Sequence, residues 1–278
     1  MLTNSKKIFE QAKKQKFAIP APNFIDLDSG RAFVQVADKL GLPIILAFAQ
    51  SHMHIMSIEE AALIGHHLAA TANVPVVLHL DHGLDIQITQ RAIDLGFTSV
   101  MIDASQESFA KNVEMTKAVI EQAHKKNVVV EAEIGFVGSG QNYEDHTQSD
   151  SVYTELEDAI NFAKQTNVDS LAISIGTAHG FYKGTPKINF ERLEQIAAAI
   201  DTPLVLHGGS SSGDENLAKC ATMGIVKINI FTDFVSAAIK NIKAQEPQDF
   251  LKLKEISNDS FKQTLEHYYK VFNTQRCI

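Results

Sequence analysis

The sequence predicts an α/β fold, specifically a (β/α)8 TIM barrel with a C-terminal helical extension. Short apolar segments rich in Val, Ile and Leu alternate eight times with helix-length polar/apolar patterns along the 278 residues. This alternation is typical of parallel strands that are covered on both faces and joined by right-handed crossovers. No shift in composition divides the rounds, so we expect one barrel domain over residues 1–278. A doubly wound sheet is the second choice.

The elements follow in a regular order after a leading helix, which the amphipathic pattern predicts at 5–14. Eight strands are predicted at 17–24, 43–50, 74–83, 99–105, 128–135, 170–177, 203–209 and 226–232. Helices are predicted at 28–40, 57–70, 85–95, 108–126, 155–166, 190–200 and 214–223. Ser57 and Glu60 match a capping box, and Gly41 lies where a helix should end.

Two segments depart from the alternation. From residue 234 to 278 the chain is helical and highly charged, which predicts a helical hairpin on the barrel or on a second subunit. Exposed Tyr and Phe side chains there would favour the subunit interface. Residues 136–150 hold glycines and polar residues with almost no apolar pattern. A loop of this length in a compact barrel is typical of an active-site lid, with a disordered surface excursion as the alternative.

Composition and charge restrict the classes of partner. The net charge of −8 disfavours a nucleic-acid surface, and no apolar run reaches the length of a membrane span. Cys220 and Cys277 give neither a disulfide framework nor a CxxC metal motif. The first residues lack the apolar core of a signal peptide. We therefore expect a cytoplasmic protein that binds a small molecule, with no nucleic acid and no membrane.

Three of the predicted strands end in a histidine followed by glycine. These histidines are His82, in Asp81-His82-Gly83, together with His179 and His207. Active sites of such barrels lie at the carboxyl ends of the strands, so the three imidazoles should meet. A lone histidine at a strand end is more often hydrogen-bonded for structure, but three neutral imidazoles with an open fourth position are typical of catalytic zinc. We predict one catalytic Zn2+ at this point.

Further polar residues stand near the same ends of the strands. Alternation puts Glu131 and Glu133 on one face of the fifth strand, where either could orient a ligand or bind the metal itself. A carboxylate pair buried only for structure is not expected without cations nearby. His79 lies deeper than Asp81 on one strand and is expected to belong to the core or to support the ligands. Asn23 ends the first strand.

A glycine- and serine-rich loop follows the seventh strand and leads into a helix. It covers residues 208–213, and residues 229–232 form a similar junction after the eighth strand. Backbone N–H groups at these two junctions commonly hold phosphate in such barrels. Lys183 could add a cation. A glycine-serine loop could also be a simple turn, but its position favours a phosphate site.

A metal, a carboxylate and a phosphate site together indicate a reaction class. A metal polarises a ketone as a Lewis acid. Asp81 is adjacent to one predicted ligand and could move a proton next to that carbonyl. These roles suit aldol chemistry or enolisation of a phosphorylated ketose.

At these residues the sequence resembles the class II, metal-dependent ketose-bisphosphate aldolases, which include fructose- and tagatose-bisphosphate aldolases. The shared motifs run in family order over nearly the whole chain and are together highly specific. They are LHLDHG at 78–83, SVMID at 99–103, VEAEIG at 130–135, GTAHG at 176–180, LHG at 206–208 and KIN at 227–229.

The resemblance implies a zinc-dependent barrel that cleaves a ketose phosphate into dihydroxyacetone phosphate and an aldehyde. Asp81 matches the family's proton-transferring aspartate, and Glu133 matches the carboxylate near the metal. His82, His179 and His207 match the zinc ligands. The residues expected to bind the phosphate and ketone end are Asn23, Gly180, Lys183, Gly208, Gly209, Ser210, Asn229 and Thr232. A bound monovalent cation (Na+ or K+) and a homodimer or homotetramer are also family features.

Departures from the family pattern concern the other end of the substrate. Fructose-bisphosphate enzymes typically carry Asp-Thr-Asp after the eighth strand with arginine two residues later, and tagatose enzymes carry Ala-Thr-Glu followed by lysine. Here Phe231-Thr232-Asp233 is followed by Val235, so the cation expected at the distal phosphate is missing. An unphosphorylated aldehyde half, or a sulfonate as in 6-deoxy-6-sulfofructose 1-phosphate, is the alternative. The candidates for reading this group are Gln50, Ser51, His52 and Phe231.

The lid departs from the family pattern as well. The family's mobile loop usually reads Gly-Gly-x-Glu-Asp and supplies an acid/base glutamate. Gly140-Gln141-Asn142 falls there in this chain, so either Glu144 or Tyr143 substitutes or the step proceeds in another way. We expect Glu144 to be the second catalytic residue.

Other functions stay open at this point. A metal-dependent sugar-phosphate isomerase or epimerase would need a second acid/base across the substrate. A noncatalytic accessory subunit would not need Asp81 and the three histidines intact. A Schiff-base aldolase would need a desolvated lysine on a strand, for which Lys227 is the candidate. Histidine donors favour zinc, although cobalt, nickel and iron suit the same ligands.

Overall fold

A sheet of eight parallel strands forms the centre of the computed structural model, which describes residues 1–135, 137, 153–180 and 186–277. The sheet order is β1-β8-β7-β6-β5-β4-β3-β2, and the strands are β1 Ile19–Pro22, β2 Ile44–Ala49, β3 Val76–Gly83, β4 Ser99–Ile102, β5 Val129–Ile134, β6 Ser170–Ile173, β7 Leu204–Leu206 and β8 Ile225–Ile230. A bridge between Asn23 and Ala47 joins the ends of β1 and β2 and nearly closes the sheet. The predicted (β/α)8 barrel is confirmed.

Helices alternate with these strands and cover the outside of the barrel. In the described residues they are α1 Lys6–Gln15, α2 Leu27–Leu40, α3 Ile58–Thr71, α4 Ile86–Asp94, α5 Phe109–His124, α6 Leu156–Thr166, α7 Phe190–Ala199, α8 Asp214–Thr222, α9 Thr232–Gln245 and α10 Phe250–Val271. Ser57 and Glu60 form the predicted capping box of α3. Gly41 ends α2 with a left-handed φ of 68°. None of these helices combines the length and apolarity that crossing a bilayer requires.

Side chains of β3 alternate between the barrel interior and the surrounding helices. Leu78 and Leu80 pack in the large outer cluster, whereas Val77 packs in a smaller inner cluster together with residues of α1. His79 and Asp81 lie on the same face of the strand as Val77, because side chains repeat every two residues. The interior therefore changes from apolar at its amino end to polar at its carboxyl end, where the site lies.

Helices α9 and α10 form the predicted hairpin, and it packs on the barrel of its own chain. The ring of Phe33 in α2 lies 4.8 Å from that of Phe234 in α9 and 5.7 Å from that of Phe261 in α10. Tyr268 and Tyr269 are buried as well. These aromatic side chains are covered within the chain, whereas Phe250 at the start of α10 is 69% exposed. Packing of the hairpin on a second subunit therefore stays a prediction.

Candidate active site

A cavity of about 500 Å³ opens at the carboxyl ends of the strands. Every strand contributes to its wall, either from its last residues or from the loop that follows. The acidic side chains in the wall are Asp81, Asp103 and Glu133. Among the residues that the structure describes, no lysine or arginine lines it. Asp81, His82, His179 and Glu133, which the sequence assigned to catalysis and metal binding, line the cavity. His207 is fully buried directly behind this wall, and Glu144 lies outside the described residues.

The three predicted ligands converge at the edge of this cavity, with His82 and His179 in its wall and His207 buried behind it. Nε2 of His82 lies 3.3 Å from Nε2 of His179 and 2.9 Å from Nδ1 of His207. Nitrogen atoms bound to one tetrahedral metal at about 2.0–2.1 Å lie roughly 3.3 Å from each other. The spacing therefore fits a metal ion held by all three imidazoles.

A β-bulge aims two neighbouring residues of β3 into the cavity. Between Leu80 and Gly83, β3 takes three steps where β4 takes two. His82 lies in this bulge with a φ of 51°, in the left-handed region that residues other than glycine rarely adopt. Strict alternation would turn Asp81 and His82 to opposite faces of the sheet. The extra residue allows both to reach the site, and the strained backbone falls at a functional position, as such strain often does.

The loops after β6 and β7 approach each other closely. The Thr177 hydroxyl donates to the carbonyl of His207 at 2.7 Å. Gly208 has a φ of 65°, and a Cβ at this position would lie 2.4 Å from the carbonyl oxygen of Ala178. Only glycine fits such an approach. The glycine after His207 therefore fixes this histidine relative to His179.

The second ring nitrogens of two ligands bind carboxylates. Nδ1 of His82 lies 2.7 Å from Oδ2 of Asp103, and Nε2 of His207 lies 2.9 Å from Oε1 of Glu131. Such partners orient an imidazole so that its other nitrogen faces the metal. Asp103 is a functional residue that was not predicted from the sequence. The available signal was an aspartate directly after the apolar fourth strand, inside the shared SVMID motif.

A second group of metal-binding side chains overlaps the three histidines. His82, Asp103 and Glu133 present ligand atoms within 4.8 Å of one another, as do the three imidazoles. Oε2 of Glu133 is buried and has no hydrogen-bond partner among the described residues. Buried polar atoms are normally satisfied, so an orphan carboxylate oxygen beside convergent imidazoles fits a bound cation. This donor set of nitrogen and oxygen atoms suits zinc and related transition metals.

Glu131 lies deeper than Glu133 on the same face of β5 and does not line the cavity. Both of its oxygens accept hydrogen bonds of 2.8 Å from Nζ of Lys227, and both side chains are 1% exposed. Lys227 is therefore a cation of the kind that a carboxylate buried for structure requires. Lys227 comes from β8, across the barrel. Because its amine is ion-paired in the interior, Lys227 gives no support to a Schiff-base mechanism.

Asp81 is 3% exposed and is held between two amide groups. Nδ2 of Asn23 donates to one carboxylate oxygen and Nδ2 of Asn229 donates to the other, each at 2.8 Å. Oδ1 of Asp81 lies 4.0 Å from Nε2 of His82. Hydrogen bonds of this kind stabilise the ionised carboxylate. The structure thus puts a fixed proton acceptor beside the convergent imidazoles.

Burial and charge shift the pKa values of neighbouring groups in opposite directions. Burial opposes the charge on Asp81, but the surrounding histidines, foremost His82, hold the pKa of Asp81 well below its ordinary value. Burial also opposes the charge on His82, but Asp81 and then Asp103 outweigh it and raise the His82 pKa to about 9. Burial and then the Asp103 charge raise the pKa of Glu133 to about 8. Asp81 can therefore accept a proton at neutral pH, whereas Glu133 needs a nearby cation to be ionised.

Hydrogen bonds tie the loop after β7 to the start of α9. The hydroxyl oxygen of Ser210 accepts from the N–H groups of Phe231 and Asp233 at 3.1 and 3.3 Å. The carboxylate of Asp233 accepts from the N–H and the hydroxyl of Ser211, each at 2.8 Å. The hydroxyl of Tyr268 in α10 donates to the same carboxylate. Three separate segments therefore set the shape of the predicted phosphate loop.

The residues predicted to bind the phosphate and ketone end fall into three groups. Those that line the cavity are Asn23, Gly180, Gly208, Ser210, Asn229 and Thr232. Gly209 does not, and its N–H donates to the carbonyl of Asn229 at 3.1 Å, three residues beyond the end of β7. A phosphate contact through the Gly209 amide is therefore not supported. Lys183 lies outside the described residues, as does the second catalytic candidate, Glu144.

The candidates for reading the distal group lie on one side of the cavity. Gln50, Ser51 and His52 form a short 3-10 helix after β2, and Phe231 follows β8. The rings of His52 and Phe231 are 4.5 Å apart, centre to centre. Oε1 of Gln50 accepts from the N–H of Leu84 at 2.7 Å, whereas Nδ1 of His52 is buried without a partner in the described part of the chain. This wall is polar and aromatic.

Known proteins match both the sequence and the fold. The family model for class-II fructose-bisphosphate aldolase matches residues 3–276. The YdjI aldolase of Escherichia coli K12 is 30% identical, with a TM-score of 0.89 over 99% of this chain and 98% of that one. A protein of Coccidioides immitis assigned as a fructose-1,6-biphosphate aldolase is 26% identical, with a TM-score of 0.84 over 97% and 96%. Fructose-bisphosphate aldolase (Fba) of Campylobacter jejuni, at 24% identity and a TM-score of 0.82, supports the fold.

The barrel and its histidine-lined cavity define an enzyme of the metal-dependent kind. The chain belongs to the class II fructose-bisphosphate aldolase family. It is an aldolase, that is, a carbon–carbon lyase, and the resemblance seen in the sequence motifs is confirmed. The isomerase and accessory-subunit alternatives lose their support.

Proposed function

We propose that the protein is a zinc-dependent aldolase that cleaves a ketose 1-phosphate into dihydroxyacetone phosphate and an aldehyde that carries no phosphate. One observation carries the choice of substrate: the described residues at the distal end of the cavity, Gln50, Ser51, His52 and Phe231, include no lysine or arginine. Phosphate groups in protein sites are usually met by arginine or lysine. A second phosphate at the far end of the substrate would face the side chains of Gln50, Ser51 and His52 and the ring of Phe231 instead.

The metal would be held by His82, His179 and His207, with Glu133 or Asp103 as an additional oxygen donor. When bound, it supplies a Lewis acid for the ketone carbonyl. Zinc is preferred because imidazole donors suit it and because an open position remains for the substrate. A second, monovalent cation and assembly as a homodimer or homotetramer stay predictions from the family resemblance.

Asp81 is proposed to carry out the proton transfer. In the direction of cleavage it takes the proton of the C4 hydroxyl as the C3–C4 bond breaks. The electron pair of that bond moves to C3, and C4 becomes the aldehyde carbon. A proton then returns to C3 to complete dihydroxyacetone phosphate, a step for which Glu144 is the candidate from the sequence.

Asn23 and Asn229 keep Asp81 in place for this step, since each donates to one of its oxygens at 2.8 Å. Oδ1 of Asn229 is buried and has no partner among the described residues. It is therefore left to accept a hydrogen bond from a substrate hydroxyl. This supports placing the reacting carbons between Asp81 and the metal ligands.

The phosphate of the ketose is proposed to lie at the loops after β6, β7 and β8. Gly180, Gly208, Ser210 and Thr232 line the cavity there. Thr232 is the first residue of α9, and helix N-termini attract anions. The opposite wall, with His52 and Phe231, is left for the aldehyde half.

A panel of retro-aldol substrates tests this proposal. Release of dihydroxyacetone phosphate is measured with a coupling enzyme for fructose 1-phosphate, 6-deoxy-6-sulfofructose 1-phosphate, fructose 1,6-bisphosphate and tagatose 1,6-bisphosphate, with and without a chelator. We expect fructose 1-phosphate to be cleaved with a higher kcat/KM than either bisphosphate, and the chelator to abolish cleavage. A preference for a bisphosphate would refute the substrate choice, and chelator-resistant cleavage would refute the metal dependence. The sulfonate is the alternative substrate, because it carries a smaller charge than a phosphate.

A further inference from the structure

Beneath the three histidines, the barrel interior holds a layer of polar side chains that the proposed reaction does not use. The layer consists of His79 on β3, Ser99 on β4, Glu131 on β5 and Lys227 on β8, each at most 5% exposed. None of them lines the cavity. Burying a carboxylate and an ammonium group is costly unless both are fully paired, so the layer calls for an explanation.

The hydrogen bonds of this layer satisfy the ammonium group of Lys227 and the imidazole of His79. Nζ of Lys227 lies 2.8 Å from both oxygens of Glu131 and 3.0 Å from Nε2 of His79. Three partners use all three N–H groups of the ammonium. Because an ammonium group only donates, Nε2 of His79 accepts, and its Nδ1 donates to the hydroxyl of Ser99 at 2.8 Å.

One contact leads from this layer to the metal site. Oε1 of Glu131 lies 2.9 Å from Nε2 of His207. A carboxylate that is ion-paired with Lys227 only accepts, so Nε2 of His207 carries the proton and Nδ1 keeps its lone pair. This Nδ1 is the atom that lies 2.9 Å from Nε2 of His82, where the donor atoms converge.

We propose that Glu131 and Lys227 are positioning residues of the metal site. Glu131 fixes the ring of His207 with the lone pair of Nδ1 turned toward the metal, and Lys227 holds both oxygens of Glu131 and balances its charge. Carboxylate partners of metal-binding histidines orient the ring and strengthen its donor nitrogen. The inference rests on the metal site of the proposed function but not on the choice of substrate.

His82, the other predicted ligand with a carboxylate partner, differs from His207 in what that partner can do. Asp103, the partner of His82, belongs to a group of candidate metal ligands, so its loss could remove a ligand directly. Glu131 belongs to neither group among the described residues. A change in metal affinity on substitution of Glu131 would therefore act through His207.

The test is the affinity for zinc, measured by competition with a chromophoric chelator, together with the visible absorption spectrum of the Co2+-substituted protein. Glu131→Gln keeps the shape of the side chain and removes its charge. We expect zinc affinity to fall by about 10–100-fold and the Co2+ bands to shift. Asp214→Asn is the matched control, because Asp214 pairs with Nε2 of His267 at 3.0 Å on the surface, outside the site. It should change neither reading.

A second variant is needed because Glu131→Gln leaves the buried ammonium of Lys227 without a carboxylate partner, which could prevent folding. Glu131→Gln combined with Lys227→Met removes both charges together. We expect this protein to fold, as judged by circular dichroism and thermal unfolding, with zinc affinity as weak as in Glu131→Gln alone. Unchanged zinc affinity and an unchanged Co2+ spectrum in either folded variant would overturn the proposal. Neither reading uses a substrate, so failure of the aldolase assay and failure of the positioning role are distinguishable.

Discussion

The two sides of the cavity differ in how firmly their side chains are held. On the metal side, Asp81 is bound by two asparagine amides, and His82 and His207 each bind a carboxylate through the ring nitrogen that does not enter the site. On the opposite side, His52 belongs to a three-residue 3-10 helix, and its buried Nδ1 has no partner among the described residues. Ser51 is exposed.

This difference suggests that one side of the cavity carries out the reaction and the other side selects the substrate. Proton transfer and metal binding need atoms held to within a fraction of an ångström, and buried hydrogen-bond networks provide that precision. Recognition of the aldehyde half depends on a short loop and one aromatic ring, which tolerate change because few other contacts depend on them. We therefore expect substitutions on the metal side to abolish activity and those on the opposite side to redirect it.

The largest effect is expected from His179→Ala, which removes one of the three convergent imidazoles. Zinc affinity should fall by more than about 100-fold, since even the outer partners of ligands contribute 10–100-fold, and cleavage should fall to background. Equilibrium dialysis with zinc and the coupled assay measure the two quantities. Ser51→Ala on the opposite side is the control and should bind zinc normally. Full zinc affinity in His179→Ala would mean that the metal site uses other donors.

Asp81→Asn should rank next. The amide keeps the size of the side chain but cannot accept the proton, so kcat should fall by about 10²–10⁴-fold. Zinc content should stay the same, because Asp81 belongs to neither group of candidate metal ligands among the described residues. Steady-state kinetics and metal analysis of the purified variant separate these effects. A kcat within a few fold of the original would assign the proton transfer to another group.

Asn23→Ala should have an intermediate effect, because it removes one of the two amides that hold Asp81. We expect kcat to fall by about 10–100-fold, since a net hydrogen bond to a charged group contributes roughly 1.5–3 kcal/mol. KM should change less than kcat. Steady-state kinetics check this, and a loss confined to KM would instead make Asn23 a substrate-binding residue.

Phe231→Lys should retain activity but shift the substrate preference toward a bisphosphate. This result would show most directly that the two sides of the cavity differ in function. The added ammonium offers a partner for a distal phosphate, so kcat/KM for fructose 1,6-bisphosphate should rise by about 10-fold relative to fructose 1-phosphate. The control is Phe231→Met, which opens the wall without adding charge. If both variants shift this ratio of kcat/KM values equally, the size of residue 231 determines the substrate preference and its charge does not.

The smallest effect is expected from Tyr268→Phe, which removes only the hydroxyl that donates to Asp233. Unfolding free energy should fall by about 1–2 kcal/mol, and KM for the ketose phosphate should rise a few fold because the Ser210–Ser211 loop loses one of its supports. Thermal unfolding and kinetics with the best substrate measure the two changes. A rise in KM without any loss of stability would indicate that the hydroxyl acts on the loop alone.

The barrel could be predicted because its signals are local. Apolar runs that end in His-Gly mark both the strand and its active end, and seven of the eight predicted strands enclose the observed ones, while β8 begins one residue earlier at Ile225. The convergence of His82, His179 and His207 also followed, since parallel strands deliver their ends to one face.

What the sequence could not supply are distances across the barrel. Alternation puts Glu131 and Glu133 on one face of β5, yet the two differ in depth by two residues, roughly 6.6 Å, and only Glu131 meets Lys227 of β8. The bulge that turns His82 inward and the bond from Asp103 to the same ring are likewise tertiary features.

The hydroxyl of Tyr268 also sets an order of events during synthesis. This hydroxyl donates to Asp233, 35 residues earlier in the chain. His207, the last of the three convergent histidines, leaves the ribosome well before Tyr268. At about 5–20 residues per second, several seconds separate the two. A nascent chain therefore holds all three imidazoles before the loop that is to receive phosphate has its final support, so that metal uptake can precede competence for substrate.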